Sequence, residues 1–120
     1  MVTAFQVIEH IPDIKSSVKN ISKLVKKNGF FIGSAPFVYP IHGKADYFRF
    51  TYMGLDYLLS TSFKKVKIIP YGNQIINVGI LCKKIPVIGW FFNIFAKSIE
   101  KIFKKSNKIS PTSYFFICSH

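Results

Sequence analysis

Val2-Thr3-Ala4-Phe5-Gln6-Val7-Ile8-Glu9-His10-Ile11-Pro12-Asp13 is the stretch on which the fold turns. Val2 to Ile8 is short, apolar and β-prone, the pattern of a buried strand. Pro12 and Asp13 then mark a helix start with Asp13 as N-cap, and Ile14, Val18, Ile21, Leu24 and Val25 form one apolar stripe with lysines on the solvated face. Asn28-Gly29 supplies a left-handed residue to end that helix, and Phe30 to Ala35 follows as a second buried strand. Strand, helix and strand make a β-α-β unit, the building block of an α/β sheet.

Working outward, Pro36 to Phe50 is a loop rich in Pro, aromatic and polar residues, and Thr51 caps a short helix through about Ser60. Val66 to Pro70 reads as a third strand. Tyr114 to Cys118 is a fourth, apolar throughout as a strand covered on both faces would be. Between them, about Ile75 to Lys105 is helical at least in part, with the aromatic run Trp90 to Phe95 and a Lys-rich tail. Its uninterrupted apolar stretch, Ile85 to Ala96, is shorter than the ~20 residues that span a bilayer, and Lys83-Lys84 blocks its extension. Ligands of α/β sheets bind beyond the carboxyl ends of the strands, which places chemistry in the loops after Ile8 and Ala35. No internal repeat or low-complexity linker divides the chain, so a single domain is expected.

With 120 residues, 49% hydrophobic and 17% aromatic, the chain suits one small globular domain. Its net charge of +12 would suit nucleic acid or an anionic membrane. Arg49 is nonetheless the only Arg among 17 basic residues, whereas phosphate and base-edge readers favour the bidentate Arg fork. Abundant Ile, Phe, Lys and Asn together are what an AT-rich genome produces, so nucleic acid is not the expected partner. Cys82 and Cys118 are isolated thiols in apolar runs, and the three His residues show no metal-ligand spacing. No metal ligands are therefore assigned, and a reduced, cytoplasmic setting is expected. Asn20-Ile21-Ser22 matches a glycosylation sequon but falls within a helix of a chain in which no signal peptide is read.

The run Phe5 to Asp13 resembles the fourth-strand motif of class I S-adenosylmethionine-dependent methyltransferases, in which an apolar strand ends in Glu-His before a capped helix. Leu24-Val25-Lys26-Lys27-Asn28-Gly29 resembles their helix end at the expected distance. Ser34-Ala35-Pro36-Phe37 and His42-Gly43-Lys44-Ala45-Asp46-Tyr47-Phe48-Arg49-Phe50-Thr51 then match the Pro-Phe, His and Asp-Tyr-Arg-Thr series of one subgroup. The resemblance covers Val2 to about Gly72; the insert at about 75–108 has no counterpart. It implies the C-terminal half of a Rossmann-like methyltransferase sheet, equivalent to strands four to seven with flanking helices. The last strand would run antiparallel between its two predecessors.

The resemblance also implies roles. Phe5, Gln6 and Val7 would line the pocket of S-adenosyl-L-methionine, although Val7 reads better as core and Gln6 as the stronger contact. Glu9, Asp46 and Arg49 would face the acceptor. His10 or His42 would take its proton, with a turn-fixing role for His10 equally open. Asp46 and Arg49 can equally be an internal pair that staples the loop. Methyl transfer from a sulfonium is an in-line displacement that calls for no metal. The chain contains no Gly-x-Gly, so the glycine loop that holds the cofactor in the family is missing. A gene fragment or split gene is expected, inactive alone and without appreciable affinity for the cofactor. The methyl acceptor, a small molecule or a glycan-type compound, is not readable. The alternative is a membrane-surface-associated basic protein without catalytic activity, peripheral to the membrane and in weak contact with anionic lipid through 85–108.

Overall fold

The computed structural model describes residues 1–81 and 110–120. Four strands, β1 (Val2–Phe5), β2 (Phe31–Pro36), β3 (Lys65–Tyr71) and β4 (Ser113–Ser119), form one sheet in the order β1-β2-β4-β3. β1 and β2 are parallel, with Val2 opposite Phe31 and Phe5 opposite Ser34. β4 runs antiparallel to both neighbours, so that Phe116 lies between Gly33 and Ile68. The fold is therefore a small α/β domain with a mixed sheet, and its last strand sits between its two predecessors as expected.

Strand alternation sorts the side chains. Phe31, Ala35, Tyr114, Phe116 and Cys118 enter the core, where α1 (Ile14–Leu24) and α2 (Tyr52–Ser60) contribute Val18, Leu55 and Leu59. Each helix is started by a side chain that accepts from an otherwise unbonded backbone N–H, Asp13 from Ser16 at 3.2 Å and Thr51 from Gly54 at 3.1 Å. The opposite sheet face carries Phe5, Ile69, Tyr71 and Phe115, all substantially exposed. β4 is thus not covered on both faces throughout; Phe115 is instead met edge-on by the rings of Phe5 and Tyr71, at 6.4 and 5.6 Å between centroids.

Three local expectations change. β1 ends at Phe5 rather than Ile8, because Gln6 turns the chain with φ 52°. Leu24 leaves the α1 stripe and is 72% exposed, while Val25 is buried. The cause is the early helix end: Val25 is already extended, with its N–H bonded to the carbonyls of Ile21 and Ser22, which swings its side chain inward. Gly29 does not provide a left-handed cap, since positive φ occurs among described glycines only at Gly43 and Gly72. It closes a turn instead, its N–H on the Lys26 carbonyl at 2.7 Å.

α3 (Gln74–Leu81) begins at Asn73, whose side chain accepts from the Ile76 N–H, and Asn77 ties it to the return segment through Ser110 and Thr112. The proposed lipid-contacting stretch 85–108 lies outside the described residues. Among those that are described, no helix is long and apolar enough to cross a membrane.

Candidate functional site

Gln6 pays for its left-handed backbone, which costs an ordinary residue about 1–3 kcal/mol, with two bonds to Ser34 of β2. Its N–H donates to the Ser34 carbonyl and its Nε2 to Oγ, both at 3.1 Å. The turn it makes lifts the chain off the sheet into a single 3-10 turn, Ile8–His10. Ile8 drops into the core, and Glu9 is carried beneath the loop that follows β2.

That loop is fastened to the turn by backbone. The Glu9 carbonyl accepts from Tyr47 N–H at 2.9 Å and Phe48 N–H at 3.3 Å, and Phe50 N–H returns to the Pro36 carbonyl at 3.1 Å. Arg49 braces the interior of the loop. Nε donates to the Tyr39 carbonyl at 3.1 Å, Nη2 to Pro40 at 3.0 Å, Nη1 to Phe48 at 2.8 Å, and the fork grips both oxygens of Asp46. All five N–H donors of the guanidinium are thereby used. The pair therefore staples the loop from within. The guanidinium holds the Asp46 carboxyl well below the usual carboxylate range, reinforced by the His42 N–H at 2.8 Å. The same pairing raises Arg49 further.

The braced loop sets two imidazoles over Glu9. His10 is held at Nδ1 by the Ala45 carbonyl. His42 has Nδ1 3.3 Å from Asp46 Oδ2, an ion-pair distance without hydrogen-bond alignment. The rings meet edge-on at 4.9 Å, and Tyr39 lies edge-on to His42 at 5.3 Å. Both Nε2 atoms turn toward the same carboxylate oxygen, Glu9 Oε1, at 3.8 Å from His10 and 3.9 Å from His42. These separations are too long for hydrogen bonds. Glu9 is 0% exposed, and neither of its carboxylate oxygens has a hydrogen-bond partner. Burying a carboxylate without partners is costly, so this arrangement needs a compensating charge.

Five of the eight residues singled out in the sequence, Glu9, His10, His42, Asp46 and Arg49, therefore converge on one cluster. Phe5, Gln6 and Val7 line neither of the two cavities found among the described residues. Phe5 is 52% exposed and packs on Phe115, the Gln6 amide is engaged by Ser34, and Val7 is 44% exposed rather than core. Ile8 takes the core position because the turn at Gln6 shifts the inward-facing register. Phe5 and Val7 present an exposed apolar rim, with the Gln6 amide beside it. A separate groove between α1 and α2, lined by Lys15, Lys19, Lys23 and Tyr57, lies on the helix layer.

No family model and no curated protein matches the chain. What the cluster can do follows from its own chemistry. His10, held at Nδ1 by the Ala45 carbonyl, and His42 present their Nε2 atoms as proton acceptors, and a buried carboxylate beside them stabilises positive charge. The three groups also have the donor types and spacing of a cation site, their ligand atoms lying within 4.8 Å of one another. That the three meet was not legible in the sequence, because His42 reaches Glu9 and His10 only through the folded loop, and Ala45 contributes a backbone carbonyl that no residue pattern marks.

Proposed function

We propose that this chain takes part in S-adenosylmethionine-dependent methyl transfer and supplies the acceptor side of the site. The observation that carries the reading is the placement of the Glu9-His10-His42 cluster beyond the carboxyl ends of the parallel strands β1 and β2, where α/β sheets bind ligands. The resemblance of Phe5–Asp13 and His42–Thr51 to methyltransferase motifs supports it, as does a sheet in which β4 runs antiparallel between β2 and β3.

The cofactor supplies an electrophilic methyl group when bound. The chain's residues orient a hydroxyl or amine acceptor under the Tyr39–Arg49 loop and take up its proton at Nε2 of His10 or His42. The Ala45 carbonyl holds Nδ1 of His10, Asp46 accepts from the His42 backbone N–H, and the Glu9 carboxylate offsets the charge the proton brings. Loss of one such base lowers a rate by about 10²–10⁴-fold.

The test uses protein isolated from its own cells, together with whatever segment or subunit accompanies it. Labelled methyl from S-adenosylmethionine should enter a small-molecule or glycan fraction. His10→Ala and His42→Ala together should reduce that incorporation at least a hundredfold with an unchanged circular dichroism spectrum. Absence of any label transfer by the native protein, or full transfer by the folded double variant, overturns the reading.

A further inference from the structure

We infer that Glu9, His10 and His42 form a binding site for one divalent transition-metal ion of the zinc or cobalt class, with a coordination position left open. The site stands on its own geometry and does not rest on the methyl-transfer reading. Its first support is the state of Glu9. The carboxylate is fully buried, and both oxygens lack hydrogen-bond partners. Buried carboxylates are paired or bind metal, and here the two imidazoles stand at 3.8 and 3.9 Å, within ion-pair reach but without a hydrogen bond.

The second support is the orientation of the rings. An imidazole that binds metal through Nε2 commonly donates its Nδ1–H to a carbonyl or carboxylate, which fixes the tautomer and aims the lone pair. His10 has the Ala45 carbonyl at Nδ1, and His42 has Asp46 Oδ2 at 3.3 Å. His10 thus has its outer nitrogen bonded, His42 has its own beside a carboxylate without a hydrogen bond, and both inner nitrogens are directed at Glu9. Asp46 is in turn fixed by Arg49, so the loop acts as a rigid backing for the His42 ligand.

The spacing is the third. Around a tetrahedral ion with bonds of about 2.0–2.2 Å, ligand atoms lie about 3.3–3.6 Å apart. The two Nε2 atoms are 3.8 and 3.9 Å from Glu9 Oε1, a few tenths of an ångström wider. Both imidazoles retain solvent exposure, 30% for His10 and 37% for His42, so their rings have room to close that gap. Two imidazoles and one carboxylate suit zinc and its neighbours better than magnesium or calcium, which prefer all-oxygen shells. Three protein ligands leave a fourth position for water or an acceptor oxygen, as in catalytic rather than structural zinc sites.

The test is titration of the full chain, freed of metal by chelation, with cobalt(II) followed by visible absorption and with zinc(II) followed by competition against a chromophoric chelator. One equivalent should bind with a micromolar or tighter dissociation constant, and the cobalt spectrum should show the intense bands of a four- or five-coordinate ion with nitrogen ligands. Glu9→Gln, which keeps side-chain shape, should weaken binding at least tenfold, as should His10→Ala and His42→Ala. His120→Ala removes the third histidine, which contacts the Ser22 carbonyl far along the chain, and should leave affinity unchanged. A thermal melt keeps the outcome decisive for any variant that folds poorly. Zinc should raise the midpoint of the native chain but not of Glu9→Gln, and in chelator Glu9→Gln should be no less stable than native. Six-coordinate cobalt in loose association, equal affinity in the Glu9, His10 and His42 variants, or a metal-free Glu9→Gln less stable than native would overturn the site. Methyl-transfer activity enters none of these readouts, so failure here is distinct from failure of the proposed reaction.

Discussion

Gly33→Ala tests the register that places the site. An added Cβ at Gly33 would lie 2.2 Å from the Ala4 carbonyl oxygen of β1 and 2.4 Å from Cζ of Phe116 on β4. The Phe116 ring is fully buried, packed against Phe31 at 5.1 Å between centroids, and has no solvent to rotate into. The Ala4 oxygen is backbone and can move only if β1 moves. Restoring ordinary contact needs a displacement of about 1 Å between β1 and β2, at the point where Ala4 pairs with Gly33. Overpacking a close-fitted core costs about 1–3 kcal/mol, and with one of the two obstacles being backbone we expect about 3 kcal/mol. For a chain of this size that corresponds to a melting midpoint lower by roughly 12 °C. The same movement would strain the bonds from Tyr47 and Phe48 to the Glu9 carbonyl and so spread the cluster. The assay is thermal unfolding by far-UV circular dichroism, with a urea titration for the free energy. Gly79→Ala is the matched control: a Cβ there meets nothing within 4 Å, so the helix should gain about 0.5–1 kcal/mol. A Gly33→Ala protein within about 0.5 kcal/mol of the native one would refute the pairing of β1 with β2 in this register.

Three further outcomes follow from local geometry. Burial pushes the Cys118 thiol up to about 12, with Asp56 adding to it, so alkylation at pH 8 should be about a thousandfold slower in the folded Cys82→Ser protein than in urea; similar rates would mean an open thiol. The Asp46 carboxyl is depressed in the folded chain by Arg49, so its stabilising effect is present above the ordinary carboxyl value of 3.8 and is lost as pH falls below it. Asp46→Asn should therefore flatten the acid limb of a stability–pH curve, and an unchanged limb would place the pair elsewhere. Gln6→Gly should be more stable than Gln6→Ala by about 1 kcal/mol in urea unfolding, because both lose the Ser34 bond and only glycine accepts φ 52° without strain; equal stabilities would argue against the left-handed turn.

The parts of the fold that could be read in advance are those set by neighbours in sequence. Asp13 and Thr51 announce their helices because an N-cap bonds an amide only three residues on, and the structure has both bonds. Leu24 and Val25 were not separable in this way. Adjacent positions on a helix differ by about 100°, and in the last turn it is the point of unwinding, not the periodicity, that chooses which one faces in. The position of β4 was legible only through resemblance, since an apolar run states that a strand is buried and not which strands bury it.

The site divides along the same line. The turn at Gln6 was hidden because a left-handed glutamine is not favoured by its type; it is held there by Ser34, a partner on another strand. That one turn reverses the burial of its neighbours, exposing Val7 and burying Ile8 and Glu9. An acidic residue after a strand reads as a solvated group facing the crevice mouth. Here it is sealed under a loop whose five-fold bracing by Arg49 makes that burial permanent, and the loop in turn delivers His42 from a distant part of the chain. A buried carboxylate that accepts no hydrogen bond, with two imidazoles 3.8 and 3.9 Å away, is disfavoured as a packing arrangement. The strained Gln6 and the Arg49 brace both serve to build it, and the divalent cation proposed above would supply the charge it lacks.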